Sequence, residues 1–321
     1  MYGHGIATLA LCECYGILTQ TPPIDAENTN SIEPKAAYAS LTDASLTDAS
    51  NALVNRWTAV DVERLKQAAT AAVGFIVKAQ AVGGGWRYRP GESGDTSVVG
   101  WQVMALKSAK DAGFGLHLQA VAGAQTCLDS VQLDPVGNRS FGFIGTRYKY
   151  QPSSPKISQA TTAIGLACRI CMGTSPFHPA VETSVDRIVT EGHGGGDMYY
   201  NFYANQVVFQ HGGAEWKLWN QQLSKALIQS QNRRGHLEGS WHFGAADAGG
   251  TAGGRVYTTA MACLCLEESF RHLPTFRINA QRQFNERLRA IEQRHAKAPM
   301  LPRNEQAEAA RKQADADEFP L

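Results

Sequence analysis

The chain reads as all-α, a stack of helical hairpins closed into a double ring, and three observations predict this. Apolar helical segments alternate with amphipathic ones along most of the 321 residues. One local pattern, a glutamine at a helix end followed by Gly-x-Trp, recurs in Gln80…Gly84-Gly85-Trp86 and Gln231…Gly239-Ser240-Trp241. The helices that open after these turns start alike, at Thr96-Ser97, Thr161-Thr162 and Thr258-Thr259. A terminal glutamine can bond the orphan carbonyls of a helix end, and a tryptophan ring can cover it. Hairpins whose apolar and one-faced helices alternate bury a continuous core only by stacking.

In order, residues 3–18 predict a helix apolar nearly all round, so one buried on both sides. Residues 19–54 carry Pro22, Pro23, Pro34 and the tandem LTDASLTDAS, and predict a mobile low-complexity insertion. Trp57–Gln80 is amphipathic, Asp95–Ala112 apolar, Leu116–Gln132 amphipathic. Gln132 and the turn holding Gly137 and Phe141-Gly142-Phe143 predict a variant of the same clasp with phenylalanine in place of tryptophan. Ser158–Met172 (apolar), Val181–Thr190 (amphipathic), Asp197–Gln210 (aromatic-rich), Trp216–Gln231 (amphipathic) and Gly254–Phe270 (apolar) complete nine helical segments. The glutamines recur at about 50 residues and then about twice that, as a repeat with one degenerate copy would. Residues 1–276 form the repeat domain and 277–321 a charged, alanine-rich tail, solvated helix or disordered.

Composition narrows the function. With 43% hydrophobic and 18% charged residues the chain has ample core. A formal net charge of +1 gives no reason to expect nucleic acid. No apolar run is long enough to span a bilayer. His4 and Glu13 interrupt the first apolar stretch, which lacks a basic leader and predicts no signal peptide. The abrupt start at Tyr2-Gly-His-Gly-Ile reads as the interior of a longer protein. Seven cysteines, an odd number inside apolar helical runs, predict reduced thiols and a cytoplasmic protein. Cys168-x-x-Cys171 has no second pair or histidine nearby, and no metal is expected there.

The Gln…Gly-x-Trp pattern, over residues 57–273 plus the first helix, resembles the repeat of squalene and oxidosqualene cyclases and of protein prenyltransferase β subunits. The chain looks most like the bacterial prenyltransferase and squalene-oxidase repeat proteins. The resemblance implies an α-α toroid, here incomplete at its N-terminus. It also implies parallel inner helices whose N-termini gather at one mouth, where partial positive charge and free N–H groups suit a polar head group. His4, Asp95, Thr96, Thr161, Asp197, Tyr199, Tyr200, Arg255, Tyr257 and Thr258 would stand there, with glycine turns letting a ligand approach the backbone. Asp95 and Thr96 fit a helix cap better than a ligand site.

Glu92-Ser93-Gly94-Asp95-Thr96 resembles the cyclase acid motif, but Gly94 stands where the proton-donating aspartate belongs. Asp197-Met198-Tyr199-Tyr200 and Arg255-Val256-Tyr257-Thr258 resemble the zinc-binding elements of the prenyltransferases. Tyr199 and Thr258 replace the cysteine and histidine, so neither zinc nor another cofactor is implied. What remains is an apolar centre walled by Trp101, Tyr199, Tyr200, Phe202, Tyr203 and Tyr257, able to hold an isoprenoid or similar lipid or simply to fill the core. Asp95 and Asp197 are the candidate acids. The competing expectation is a non-catalytic scaffold that binds proteins through its outer face or tail. A sugar-cleaving double ring would need Asp95 and Asp197 to flank a groove.

Overall fold

The computed structural model describes residues 1–20, 58–115, 117–138 and 142–271. The chain divides into two units, Met1–Leu273 and Pro274–Leu321. The second unit, with the tail expected over 277–321, lies outside the described residues, as does almost all of the insertion expected over 19–54.

The described residues are mostly helical, with nine α-helices: α1 (Tyr2–Gln20), α2 (Ala59–Ala79), α3 (Thr96–Asp111), α4 (Leu118–Asp129), α5 (Gln159–Cys171), α6 (Pro179–Glu191), α7 (Met198–His211), α8 (Gly213–Ser230) and α9 (Ala248–Arg271). The starts follow from capping chemistry. Thr58 and Ser158 close reciprocal capping boxes with Asp61 and Thr161. Asp95 and Asp197 each accept one N–H of the first turn. α9 bends at Gly254, whose φ of +66° leaves the helical region.

Alternation in sequence becomes alternation in burial. In α3 every residue from Thr96 to Leu106 is buried, and in α7 every residue from Tyr200 to Val208. The amphipathic helices α2 and α8 on either side of them bury one stripe each: Leu65, Ala69, Val73 and Ile76 in α2, and Trp219, Leu223 and Leu227 in α8. The odd-numbered helices pack in series, α1 on α3, α3 on α5, α5 on α7 and α7 on α9. The even-numbered ones lie against this row, α2 on α1 and α3, α4 on α3, α6 and α8 on α7. α1 departs from the expectation of burial on both sides. It buries Leu9 and Cys12, while Ile6 and Ile17 are 43% and 44% exposed.

The two tryptophan clasps share one geometry. Trp86 donates its indole N–H to Ile76 O (2.8 Å) and Trp241 to Leu227 O (2.8 Å), in each case the residue four before the glutamine. Gln80 Nε2 donates to Gly84 O and Gln231 Nε2 to Gly239 O. Both glycines hold φ +81°. Trp86 thus bonds the otherwise free Ile76 carbonyl, Trp241 joins the Gln231 N–H and the Ser230 hydroxyl on Leu227 O, and each glutamine ties down its own turn. Gln80 also donates to Ala120 O of α4 (2.8 Å), which joins one hairpin to the next.

The variant expected at Gln132 is not a clasp. Gln132–Asn138 and Gly142–Tyr148 form an antiparallel hairpin, β1 and β2, between α4 and α5. Gln132 heads β1 and accepts from Gly145 N and Arg169 Nη2. Phe143 is 61% exposed and does not cover the helix end; Tyr148, fully buried, takes the tryptophan's place. Its backbone N–H donates to Thr162 Oγ1 as that of Trp241 donates to Thr259 Oγ1. Phe143-Ile144-Gly145-Thr146-Arg147-Tyr148 is rich in aromatic and β-branched residues, which suit a strand.

Candidate functional site

The N-terminal ends of α1, α3, α7 and α9 bring phenols and carboxylates together. Tyr199, in the first turn of α7, accepts from Ser97 Oγ (3.0 Å) and donates to Ser97 O (3.1 Å) at the start of α3. Tyr2 of α1 neighbours both, and burial pushes its phenol up to about 12. The Tyr88 and Tyr150 hydroxyls pair at 3.2 Å, and the Tyr88 ring lies 5.9 Å from that of Tyr2. Tyr257, just past the α9 bend, stands close enough to Tyr2, Asp197 and Asp247 for their charges to raise its phenol further after burial has raised it.

Three carboxylates rim this cluster. Asp95 is 1% exposed; its Oδ1 accepts Val98 N (2.9 Å), while Oδ2 lies 3.8 Å from Arg87 Nε, and the carboxyl also faces the Tyr150 hydroxyl. Burial raises its carboxyl above the ordinary carboxylate range, against the lowering pull of the Val98 N–H. Asp197 is raised by burial first and by the charge of Asp247 second. Asp247 is fully buried; Oδ2 accepts from Thr258 Oγ1 (3.0 Å) and Oδ1 accepts nothing. Sequence reasoning passed over Asp247, which sits among glycines without a helical period. Its spacing to Thr258 was the signal available, because a buried hydroxyl in the first turn after a bend needs an acceptor.

Several expected site residues serve the structure instead. His4 turns to α2, its Nε2 3.0 Å from Ala72 O and its ring against Phe75. Thr96 donates to Lys149 O (2.6 Å), Thr161 to Tyr148 O (2.8 Å), and Arg255 Nη1 to Ser240 Oγ (3.1 Å). Tyr200 is buried edge-on against Trp219. The glycine turn before α7 is closed by its neighbours: Gly194 N donates to Asn201 Oδ1, and a Cβ at Gly196 would lie 2.6 Å from Phe243 Cβ.

Behind the mouth, Trp101 of α3 stacks on Phe202 of α7, with centroids 5.2 Å apart and planes 17° apart. Tyr203 meets both rings edge-on, and a Cβ at Gly100 would lie 2.6 Å from the Tyr203 hydroxyl. These side chains fill the space between α3, α5 and α7. The seven cysteines are free thiols; burial is the largest cause raising Cys12 to about 12 and Cys127 and Cys171 to about 11, which makes them poor nucleophiles. Among the described residues no three His, Cys, Asp or Glu side chains are grouped to hold a metal ion, and no helix is long and apolar enough to cross a membrane.

No family model, curated protein or solved structure matches this chain.

Proposed function

We propose that the chain is a terpenoid-cyclase-like repeat protein, its odd-numbered helices forming the inner circle of an α-α toroid. In this reading the mouth at their N-termini binds a small apolar molecule of the isoprenoid or lipid class by its polar end. The observation that carries it is the Ser97–Tyr199 pair joining α3 to α7, with Tyr2 and Tyr257 beside it from the first and last helices of the row. An unbonded oxygen at Asp247 and the unbonded Tyr257 hydroxyl supply polar groups that packing has left without a partner. Phenol rings supply flat faces for an apolar body. The reading assigns binding and no catalytic step. Native mass spectrometry of the purified full chain, followed by organic extraction, tests it. A bound lipid that is lost in the Tyr199→Phe, Tyr257→Phe double variant supports it; no bound lipid, and none taken up from added squalene or farnesol, refutes it.

The stacked rings behind the mouth favour a second reading, a non-catalytic scaffold that binds proteins, because Trp101, Phe202 and Tyr203 occupy the volume a deep ligand would need. Squalene turnover by the wild-type chain would remove this second reading. Turnover retained by both Asp95→Asn and Asp197→Asn would show that neither aspartate is the acid.

A further inference from the structure

The two tryptophan clasps make matching glutamine and tryptophan bonds, but the second turn is longer and holds a 3-10 turn at Gly235–Leu237, and they differ in what covers them. At the first, α4 sits on the turn. Gln80 Nε2 reaches Ala120 O, a Cβ at Gly84 would lie 1.9 Å from Gly123 O, and one at Gly85 would lie 2.6 Å from Cys127 Sγ. Gly84 is buried there, and Val77, three residues before the glutamine, is half-buried. At the second, Gln231 bonds its own turn at Gly239 O. Gly239 is exposed, a Cβ on it would meet nothing within 4 Å, and Ile228, three residues before the glutamine, is 51% exposed. This turn thus presents an apolar residue, a glutamine amide and an exposed glycine on a face that none of the described helices covers.

We infer that the Gln231–Gly239–Trp241 clasp is a docking seat for an amphipathic helix of a partner protein. The occupant's chemistry is read from α4, which buries Ala120, Ala124 and Cys127 and brings Gly123 against the clasp. It carries glycine or alanine at the middle of its buried face, because a larger side chain would hold the helix off the turn. It offers a backbone carbonyl to the second N–H of Gln231. Lys225, Arg233, Arg234 and His236 are exposed around the seat with Glu238 the one acid among them, so the occupant is acidic on its flanks. This inference rests on the clasps alone and not on the mouth.

The test uses the full chain and a fluorescein-labelled synthetic peptide of residues 117–130, the α4 segment, read by fluorescence anisotropy. Expected are saturable binding, at least a tenfold loss in the Ile228→Asp chain, and no change in Leu218→Asp, which alters another exposed apolar residue of α8. A peptide with Gly123→Leu binds at least tenfold more weakly, and one with Gln119→Glu and Gln125→Glu binds several-fold more tightly at low salt. Thermal melts confirm that both chain variants fold. Binding that ignores Ile228→Asp or Gly123→Leu overturns the seat, and a doubly acidic peptide that binds no tighter overturns the acidic flank. Absence of binding overturns the partner assignment, and a photo-crosslinker at Arg234 then reports whether this chain covers the seat itself.

Discussion

Gly84 and Gly239 allow the clasp to be tested as a matched pair. Both hold φ +81°, so alanine at either position carries the same left-handed backbone cost, about 1–2 kcal/mol. Their surroundings differ. A Cβ at Gly239 meets nothing within 4 Å, whereas one at Gly84 would lie 1.9, 2.3 and 2.6 Å from the O, C and Cα of Gly123. Those are backbone atoms of α4, and relieving the overlap means moving the helix. Moving it stretches the 2.8 Å bond from Gln80 to Ala120 O and loosens Ala120 and Ala124, both fully packed. The lost bond costs about 0.5–1.5 kcal/mol, since Ala120 O keeps its helical partner, and overpacking against backbone about 1–3 kcal/mol or more. Gly239→Ala should then destabilise by about 1–2 kcal/mol and Gly84→Ala by about 4 kcal/mol or more. For a domain of this size 1 kcal/mol is about 2–4 °C in Tm, so the variants should melt at least 4 °C apart. Differential scanning calorimetry reads the gap. Equal shifts would refute the reasoning, because they would mean that α4 is not seated on the first clasp.

Trp86→Phe should cost about 2–4 kcal/mol in urea unfolding, since it strands the Ile76 carbonyl under a shrunken ring, and Trp241→Phe should cost less, since Leu227 O keeps the Gln231 N–H and the Ser230 hydroxyl. Gly165→Ala, normally favourable in a helix, should destabilise by about 2 kcal/mol or more because its Cβ would lie 2.4 Å from the Tyr148 ring; a neutral Tm would show that Tyr148 is not the tryptophan's stand-in. Asp197 has its folded pKa raised, so the native state holds the proton longer than the unfolded chain does. Stability should fall as pH climbs from the ordinary carboxylate range through that raised value, and Asp197→Asn should flatten that fall in Tm measured against pH. Iodoacetamide on the native chain should modify Cys263, which is exposed, well before Cys12, Cys127, Cys168 or Cys265, as peptide mass mapping will report.

Helix positions were legible because two signals coincided, the caps at Thr58, Asp95, Ser158 and Asp197 and the contrast between all-round and one-faced apolar segments. Burial in α3 and α8 follows that contrast residue by residue. The failures have local causes. α1 looks apolar on every side, yet a helix at the end of a row has one neighbour fewer, and composition cannot report position in a row. β1 and β2 were hidden by a short motif match. Thr96, Thr161 and Thr258 look interchangeable in sequence, yet they bond Lys149 O, Tyr148 O and the Asp247 carboxylate; which acceptor lies opposite is decided by the packing of distant segments.

The residues that make the resemblance specific are the ones that packing consumes. Each clasp commits its glutamine, glycine and tryptophan to helix ends, and the recurrent threonines and Arg255 to neighbouring turns. A group already bonded at 2.6–3.1 Å inside the fold has to break that bond before it can hold a ligand, at a cost that binding must recover. Shared motif residues therefore speak to how the hairpins are fastened. Evidence for a ligand lies with buried polar atoms that make no hydrogen bond within the fold, Asp247 Oδ1 and the Tyr257 hydroxyl. Asp247 precedes α9 and Tyr257 follows its bend; the resemblance placed Tyr257 at the mouth and passed over Asp247. If the mouth binds, Asp247→Asn should change ligand retention more than His4→Ala, although only His4 stood among the residues the motif placed there. The same extraction and mass measurement decides it, and a larger loss with His4→Ala would return the site to the motif's residues.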